Sequence, residues 1–184
     1  VLYSHRSTML HTLMDLAPDT FGISSAETIL LIVPMFHANA WGTPYAAALV
    51  GANLVLPGPH LDGESVYDLM QQERVTFSQG VPTVWMMLFQ YLDAHPELDP
   101  KSLGVRRICV GGSALSRGML ERFERDFGAE MIQGWGMTET TAVATMSLLT
   151  RTDRQKPAAD QHAIVAKQGR AVSGIEIKIV DENG

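Results

Sequence analysis

Short, continuously apolar runs separated by helical patterns constrain the fold of this chain more than any other feature. Ile29-Leu30-Leu31-Ile32-Val33 is closed by Pro34, and shorter runs recur at Asn53 to Leu56, Val75 to Phe77, Ile108 to Val110 and Met131 to Ile132. Without polar alternation, such runs suit strands buried on both faces. Between them, Pro82 opens a pattern that sets Val84, Trp85, Leu88, Phe89 and Leu92 on one helical face before His95-Pro96 ends it. Asp62 can cap a second helix using Val66, Leu69 and Met70, and Ser116 a third using Met119, Leu120, Phe123 and Phe127. The alternation predicts an α/β fold, a mostly parallel sheet flanked by helices, and 184 residues suit one sizeable core.

This α/β subdomain is expected over residues 1–150. A polar, mobile loop with one short helix is expected over 151–169, where Pro157 falls, and a following β segment over 170–184. In that segment Ile175, Ile177 and Ile179 alternate with Glu176, Lys178 and Val180, a strand outside the parallel set. The chain opens on Val1-Leu2-Tyr3 without Met and stops just after this run, so it reads as the central piece of a longer protein.

A net charge of −6 gives no general cationic surface for a phosphate backbone, so nucleic acid is not an expected partner. No apolar run approaches the roughly 20 residues of a membrane span, and no transmembrane segment is expected. The single cysteine, Cys109, excludes an internal disulfide framework and fits a reducing, cytoplasmic setting. Its apolar strand position suits an inert buried thiol better than a nucleophile.

In an open parallel sheet, ligands bind beyond the carboxyl ends of the strands. Three loops there are chemically unusual: Pro34-Met35-Phe36-His37-Ala38-Asn39-Ala40-Trp41-Gly42, Gly111-Gly112-Ser113-Ala114, and Gln133-Gly134-Trp135-Gly136-Met137-Thr138-Glu139. In the third, glycines let backbone approach a ligand, the indole offers a stacking face, Thr138 can donate to a phosphate oxygen and Glu139 can hold Mg²⁺. The same residues equally describe a glycine-rich turn with a buried Trp and a solvated Glu. Gly111-Gly112 alone reads as a tight turn before a helix. His37 lies beside Phe36 and Trp41 at an apolar pocket mouth, although a lone His is more often structural than catalytic. His5, His11, His60, His95 and His162 are scattered and read as surface or local structural residues. The G-x-S-x-G hydrolase elbow fails at Leu115, and the G-x-G-x-x-G dinucleotide fingerprint fails at Glu139.

Taken in order, these loops resemble the central part of the large N-terminal domain of adenylate-forming (AMP-binding) enzymes, specifically a fatty acyl-CoA synthetase for medium or long chains. Tyr3-Ser4-His5-Arg6 resembles the segment after the family's phosphate loop, Pro34-Met35-Phe36-His37 the motif beside the acyl pocket, and Gly111-Gly112-Ser113-Ala114 the adenine-side turn. Gly134-Trp135-Gly136-Met137-Thr138-Glu139 resembles the aromatic-G-x-T-E motif, and Lys167-Gln168-Gly169-Arg170 the run that follows it.

The resemblance implies ATP-dependent activation of a fatty acid to acyl-adenylate, then transfer to coenzyme A with release of AMP. It implies Mg²⁺ on Glu139, Thr138 at the α-phosphate, and Trp135 stacked on adenine. Gly111, Gly112, Ser113, Gln133, Gly134 and Gly136 would wall the nucleotide site. His37 would sit near the acyl carboxylate, with Phe36, Trp41 and Ala114 toward the acyl tail. Phe36-His37-Ala38-Asn39 lacks the Asp that amino-acid-activating relatives place there, which favours an uncharged tail. The phosphate loop, the ribose-binding Asp and the catalytic Lys would lie outside this chain, which by itself is expected not to complete adenylation. A non-catalytic acyl- or nucleotide-binding module, a degenerate paralogue, or an enzyme adenylating another carboxylic acid are the alternatives. A homodimer is compatible with the resemblance, and in a piece of this kind it could arise from excision.

Overall fold

The computed structural model of the chain describes residues 1–182. In chain order it runs α1 (His5–Asp15), β1 (Thr28–Leu31), α2 (Ala38–Trp41), α3 (Thr43–Val50), β2 (Asn53–Val55), α4 (Gly63–Gln72), β3 (Phe77–Gly80) and α5 (Pro82–Ala94). It continues with β4 (Arg107–Val110), α6 (Arg117–Phe127), β5 (Glu130–Trp135), β6 (Thr145–Ser147), α7 (Ala158–Val165) and β7 (Arg170–Ala171). The strands form one sheet in the order β2-β1-β3-β4-β5-β6-β7. β2 through β5 pair in parallel, and β6 and β7 extend the sheet in antiparallel. The mostly parallel sheet flanked by helices is the architecture that the apolar runs predict.

The strands lack polar alternation because both faces are covered. Ile108, Val110 and Met131 point into a cluster with Trp85, Leu88, Phe89, Leu120 and Phe123 from α5 and α6. Cys109 and Ile132, one residue out of phase, point into a second cluster with Met14, Phe21, Trp41, Ala46 and Ala47. The amphipathic helices start where their caps predict. Asp62 accepts from Ser65 N–H (2.9 Å) and Ser116 from Met119 N–H (3.2 Å).

Three elements differ from the sequence reading. α1 has no apolar stripe toward the core: Met9, Leu10 and Leu13 are exposed while His11, Thr12 and Asp15 are buried. β3 runs through Ser78 and Gln79, polar but buried, because Ser78 Oγ donates to the Leu30 carbonyl (2.8 Å) and Gln79 Nε2 to the Ala40 carbonyl (2.8 Å). The alternation from Ile175 to Val180 does not form a strand. β7 at Arg170–Ala171 takes the place beside β6, and Ile179 is left 95% exposed with no strand opposite it among the described residues. The segment 151–169 holds α7, whose Val165 joins the first cluster and whose Ile164 carbonyl accepts from Ser147 Oγ (2.8 Å).

At the amino ends of the strands, buried Glu27 pairs with Arg106 (2.9 Å) and Arg107 (2.8 Å). This ion cluster closes one edge of the sheet and leaves the carboxyl ends as the open one.

Candidate active site

Beyond the carboxyl ends of β1, β4 and β5 lies a cleft of about 320 Å³. His37, Trp41, Gly111, Gly112, Gly134, Trp135, Gly136, Thr138 and Glu139 line it, together with Phe21, Ala38, Cys109, Met137, Ala142 and Val143. Three loops far apart in sequence thus meet in one place because their strands are neighbours in the sheet.

The loop after β1 reaches the cleft through an unusual turn. Ala38, Asn39, Ala40 and Trp41 have φ of 45°, 53°, 50° and 54°, so the single turn α2 winds left-handed. For residues other than glycine this costs about 1–2 kcal/mol each, and the surroundings must hold it. Gln79 does so from the middle of the sheet, donating to the Ala40 carbonyl and to Thr43 Oγ1. The turn delivers the Trp41 indole, itself buried, over Gly111, where a β-carbon would stand 2.7 Å from its ring. Gly136 is constrained by the chain as well, since a β-carbon there would fall 1.5 Å from the Ala142 carbonyl oxygen. These two glycines make room for the cleft's own walls rather than for a ligand alone.

Trp135 is 42% exposed at the cleft rim, so the reading of a buried Trp in a plain turn does not hold. Thr138–Thr140 form one tight 3-10 turn, closed by Thr140 Oγ1, which accepts from Met137 N–H (3.1 Å) and donates to the Met137 carbonyl (2.9 Å). Tyr3 Oη donates to the Thr138 carbonyl (2.8 Å) and thereby ties the N-terminal segment to this turn. Partial burial first, and the nearby Glu139 charge second, raise the Tyr3 hydroxyl above its ordinary pKa. Sequence reasoning gave Tyr3 no role in the site.

Four residues named from the sequence do not line the cleft. Phe36 is 93% exposed and turned away from it. Ser113 and Ala114 continue, exposed, toward the cap of α6. Gln133 is wholly buried beneath the cleft, where its Oε1 accepts from Leu115 N–H (2.8 Å) and its Nε2 donates to Gln168 Oε1 (3.2 Å). It braces the Gly111–Leu115 loop. Cys109 faces the cleft floor, and burial pushes its thiol well above the ordinary range, which leaves it protonated and inert.

Below the cleft, burial lifts the Asp15 carboxyl from its ordinary 3.8 to about 6, against the opposing influence of His11. Among the described residues, no three His, Cys, Asp or Glu side chains gather into a metal cluster. A metal at the rim would therefore rest on the exposed Glu139 carboxylate and on substrate oxygens, the manner in which Mg²⁺ binds through one or two carboxylates plus phosphates. The donor set fits that ion. No helix among the described residues is long and apolar enough to cross a membrane.

The family model described as AMP-binding enzyme matches residues 1–184. A medium-chain-fatty-acid–CoA ligase of Ectopseudomonas oleovorans is 45% identical over 184 residues, covering 100% of this chain and 33% of that protein. A 3-methylmercaptopropionyl-CoA ligase of Ruegeria lacuscaerulensis is 40% identical over 185 residues, covering 100% of this chain and 34% of that protein. The chain spans about a third of the length of the curated relatives it matches. Among solved structures, a long-chain-fatty-acid-CoA ligase from Archaeoglobus fulgidus superposes with a TM-score of 0.82 at 22% identity, over 99% of this chain and 35% of that one, a likeness of fold.

Proposed function

Because the chain belongs to the AMP-binding enzyme family, we propose that its cleft activates a medium- or long-chain fatty acid with ATP and passes the acyl group to coenzyme A, as part of a larger, cytoplasmic protein. One observation carries the reading. The cleft is lined both by the buried apolar side chains of Phe21, Trp41, Ala142 and Val143, which share one cluster, and by exposed Thr138 and Glu139. An acid with a hydrophobic tail and an anionic head matches that mixed lining.

In the proposed reaction the carboxylate oxygen attacks the α-phosphorus of ATP, pyrophosphate leaves, and an acyl-adenylate forms. The thiol sulfur of coenzyme A then attacks the acyl carbon, AMP leaves, and the thiol proton goes to solvent. The first step brings two anions together, so its barrier falls mainly through charge compensation and positioning. Thr138 donates a hydrogen bond to the α-phosphate, Trp135 stacks on the adenine, and the exposed backbone at Gly112 admits the planar ring, with Gly111 beside it covered by Trp41. His37 orients the acyl carboxylate at the rim. Glu139 holds Mg²⁺, which when bound neutralises phosphate charge. No protein nucleophile enters the scheme, in keeping with the inert Cys109.

The test is ATP–pyrophosphate exchange by the full-length protein containing this chain, across straight-chain acids of increasing length. Acid-dependent exchange that is strongest for medium or long chains supports the reading, and absence of exchange with every acid overturns it. The similarity to a 3-methylmercaptopropionyl-CoA ligase, nearly as high as that to the fatty-acid ligase, favours a second reading with a short thioether acid. That acid belongs in the same panel.

A further inference from the structure

His11 and Asp15 lie one turn apart on α1, both buried, and the proposed reaction uses neither. His11 Nδ1 stands 3.2 Å from Asp15 Oδ2. On the far side of the ring, Nε2 accepts from Val143 N–H (3.4 Å). That nitrogen therefore serves as the acceptor, and Nδ1 is the ring nitrogen that faces the carboxyl. The backbone of Gly42 closes over the pair, since a β-carbon at 42 would fall 2.4 Å from His11 Nδ1 and 2.6 Å from Asp15 Oδ2. Neither Asp15 oxygen has a hydrogen-bond partner among the described residues, and the His11 ring faces Oδ2 as a charge contact alone. A buried carboxyl so poorly satisfied costs stability, so tight packing alone does not account for it.

Gly42 directly follows Trp41, and Val143 directly follows Ala142; Trp41, Ala142 and Val143 all line the cleft. A single pair on α1 thus bears on the backbone behind two different walls. The rigid ring meets the carboxyl with one nitrogen and the Val143 amide with the other, which fixes the spacing between them in a way that flexible apolar side chains would not.

We infer that His11 and Asp15 are positioning residues for the acid-activating site, holding the Trp41 wall and the Ala142–Val143 wall at a set separation and so determining how firmly the acyl chain is gripped. The inference rests on the reading of the cleft given above, so it needs a readout independent of activity.

The test compares wild type with Asp15→Ala, Asp15→Asn and His11→Gln in the full-length protein containing this chain. Acid KM and kcat are measured by ATP–pyrophosphate exchange, and amide hydrogen exchange is followed over residues 37–43 and 141–145. Asp15→Ala is expected to raise KM for the acid about tenfold with kcat changed less than about threefold, and to speed exchange about tenfold in both segments. Asp15→Asn, whose side-chain oxygen can take the place of Oδ2 facing the imidazole, should restore both readouts to within about threefold of wild type. His11→Gln keeps an acceptor for Val143 N–H but loses the Asp15 contact, so exchange should rise over 37–43 more than over 141–145. This variant carries the test should Asp15→Ala not fold. Unchanged KM and unchanged exchange in the folded variants, a loss confined to thermal stability, or failure of Asn to rescue would each overturn the inference. A wild type inactive with every acid refutes the proposed reaction instead, while the exchange data still decide whether the pair holds the two walls.

Discussion

The two faces of the sheet are fed by the same strands and do opposite work. On one face the aromatic rings of α5 and α6 interlock: Phe123 packs on Phe89 at 4.7 Å, on Phe127 at 5.2 Å and edge-on to Trp85 at 5.5 Å between centroids. Charge is kept to its rim, where Arg122 pairs with Asp93 (2.7 Å) and Asp126 (3.2 Å). The other face buries His11, Asp15, Thr43 and Gln79 beside apolar residues such as Met14, Phe21 and Trp41, carries a left-handed turn, and opens into the cleft. Polar groups and backbone strain that would be costly anywhere are concentrated where ligands would bind, and the packed face offsets them. The division predicts that substitutions on the two faces fail in different assays.

The largest expected effect is Phe123→Ala, which opens a void beneath three rings and should lower unfolding free energy by about 3–5 kcal/mol in urea titration. Whatever folded protein remains should keep the acid KM of wild type, and a large KM change would break the division. Glu139→Ala is the mirror case. Its side chain is exposed, so the melting temperature should hold within about 1 °C, while acid-dependent ATP–pyrophosphate exchange falls about a thousandfold. Retained exchange would remove Glu139 from the proposed metal site.

Asp15→Asn sharpens the comparison through pH. Asp15 ionises near pH 6 in the folded chain against 3.8 ordinarily, so between those values the folded state holds the proton more tightly than the unfolded one. The stability that the protonated carboxyl contributes is full below about pH 4 and lost as pH rises through about 6. The amide does not titrate, so Asp15→Asn should gain about 3 kcal/mol on wild type between pH 4 and pH 8, read as diverging melting temperatures. Parallel curves would show that Asp15 is not shifted. The smallest effect is expected of Gly111→Ala. The new methyl group meets the Trp41 ring and should cost about 1–2 kcal/mol through overpacking, with a larger rise in KM for longer acids than for short ones.

The packed face was legible because its logic is local. Val84, Trp85, Leu88, Phe89 and Leu92 repeat at helical spacing, and Leu30 and Ile32 face them from within one uninterrupted apolar run. The cleft loops stood out by composition, through glycines flanking an indole and a carboxylate at the end of a strand. What the sequence concealed depends on distant partners. α1 offers no apolar stripe because its buried positions are His11, Thr12, Met14 and Asp15, residues given meaning only by Gly42 and Val143. Gln79 lies beyond the apolar run of Val75 to Phe77, and its place in β3 makes sense only once it meets the Ala40 carbonyl in the turn after β1. Ile175 to Val180 show the converse, a strand-like pattern that fails because pairing requires a neighbouring edge as well as alternation.

The bond from Tyr3 Oη to the Thr138 carbonyl joins residues 135 positions apart, and that from Val143 N–H to His11 joins residues 132 apart. The strand–helix units between them can form from nearer neighbours, but these two contacts must wait until nearly the whole chain has been gathered and its closure entropy met. The order of folding follows from that. Protection of Ile108 against pulse labelling should precede protection of Val143, and on a ribosome α1 can pack on α3 early while its bond from His11 to Val143 waits until the segment after β5 emerges. The cleft is then the last part of the sheet to be assembled and the first exposed when the chain begins to open.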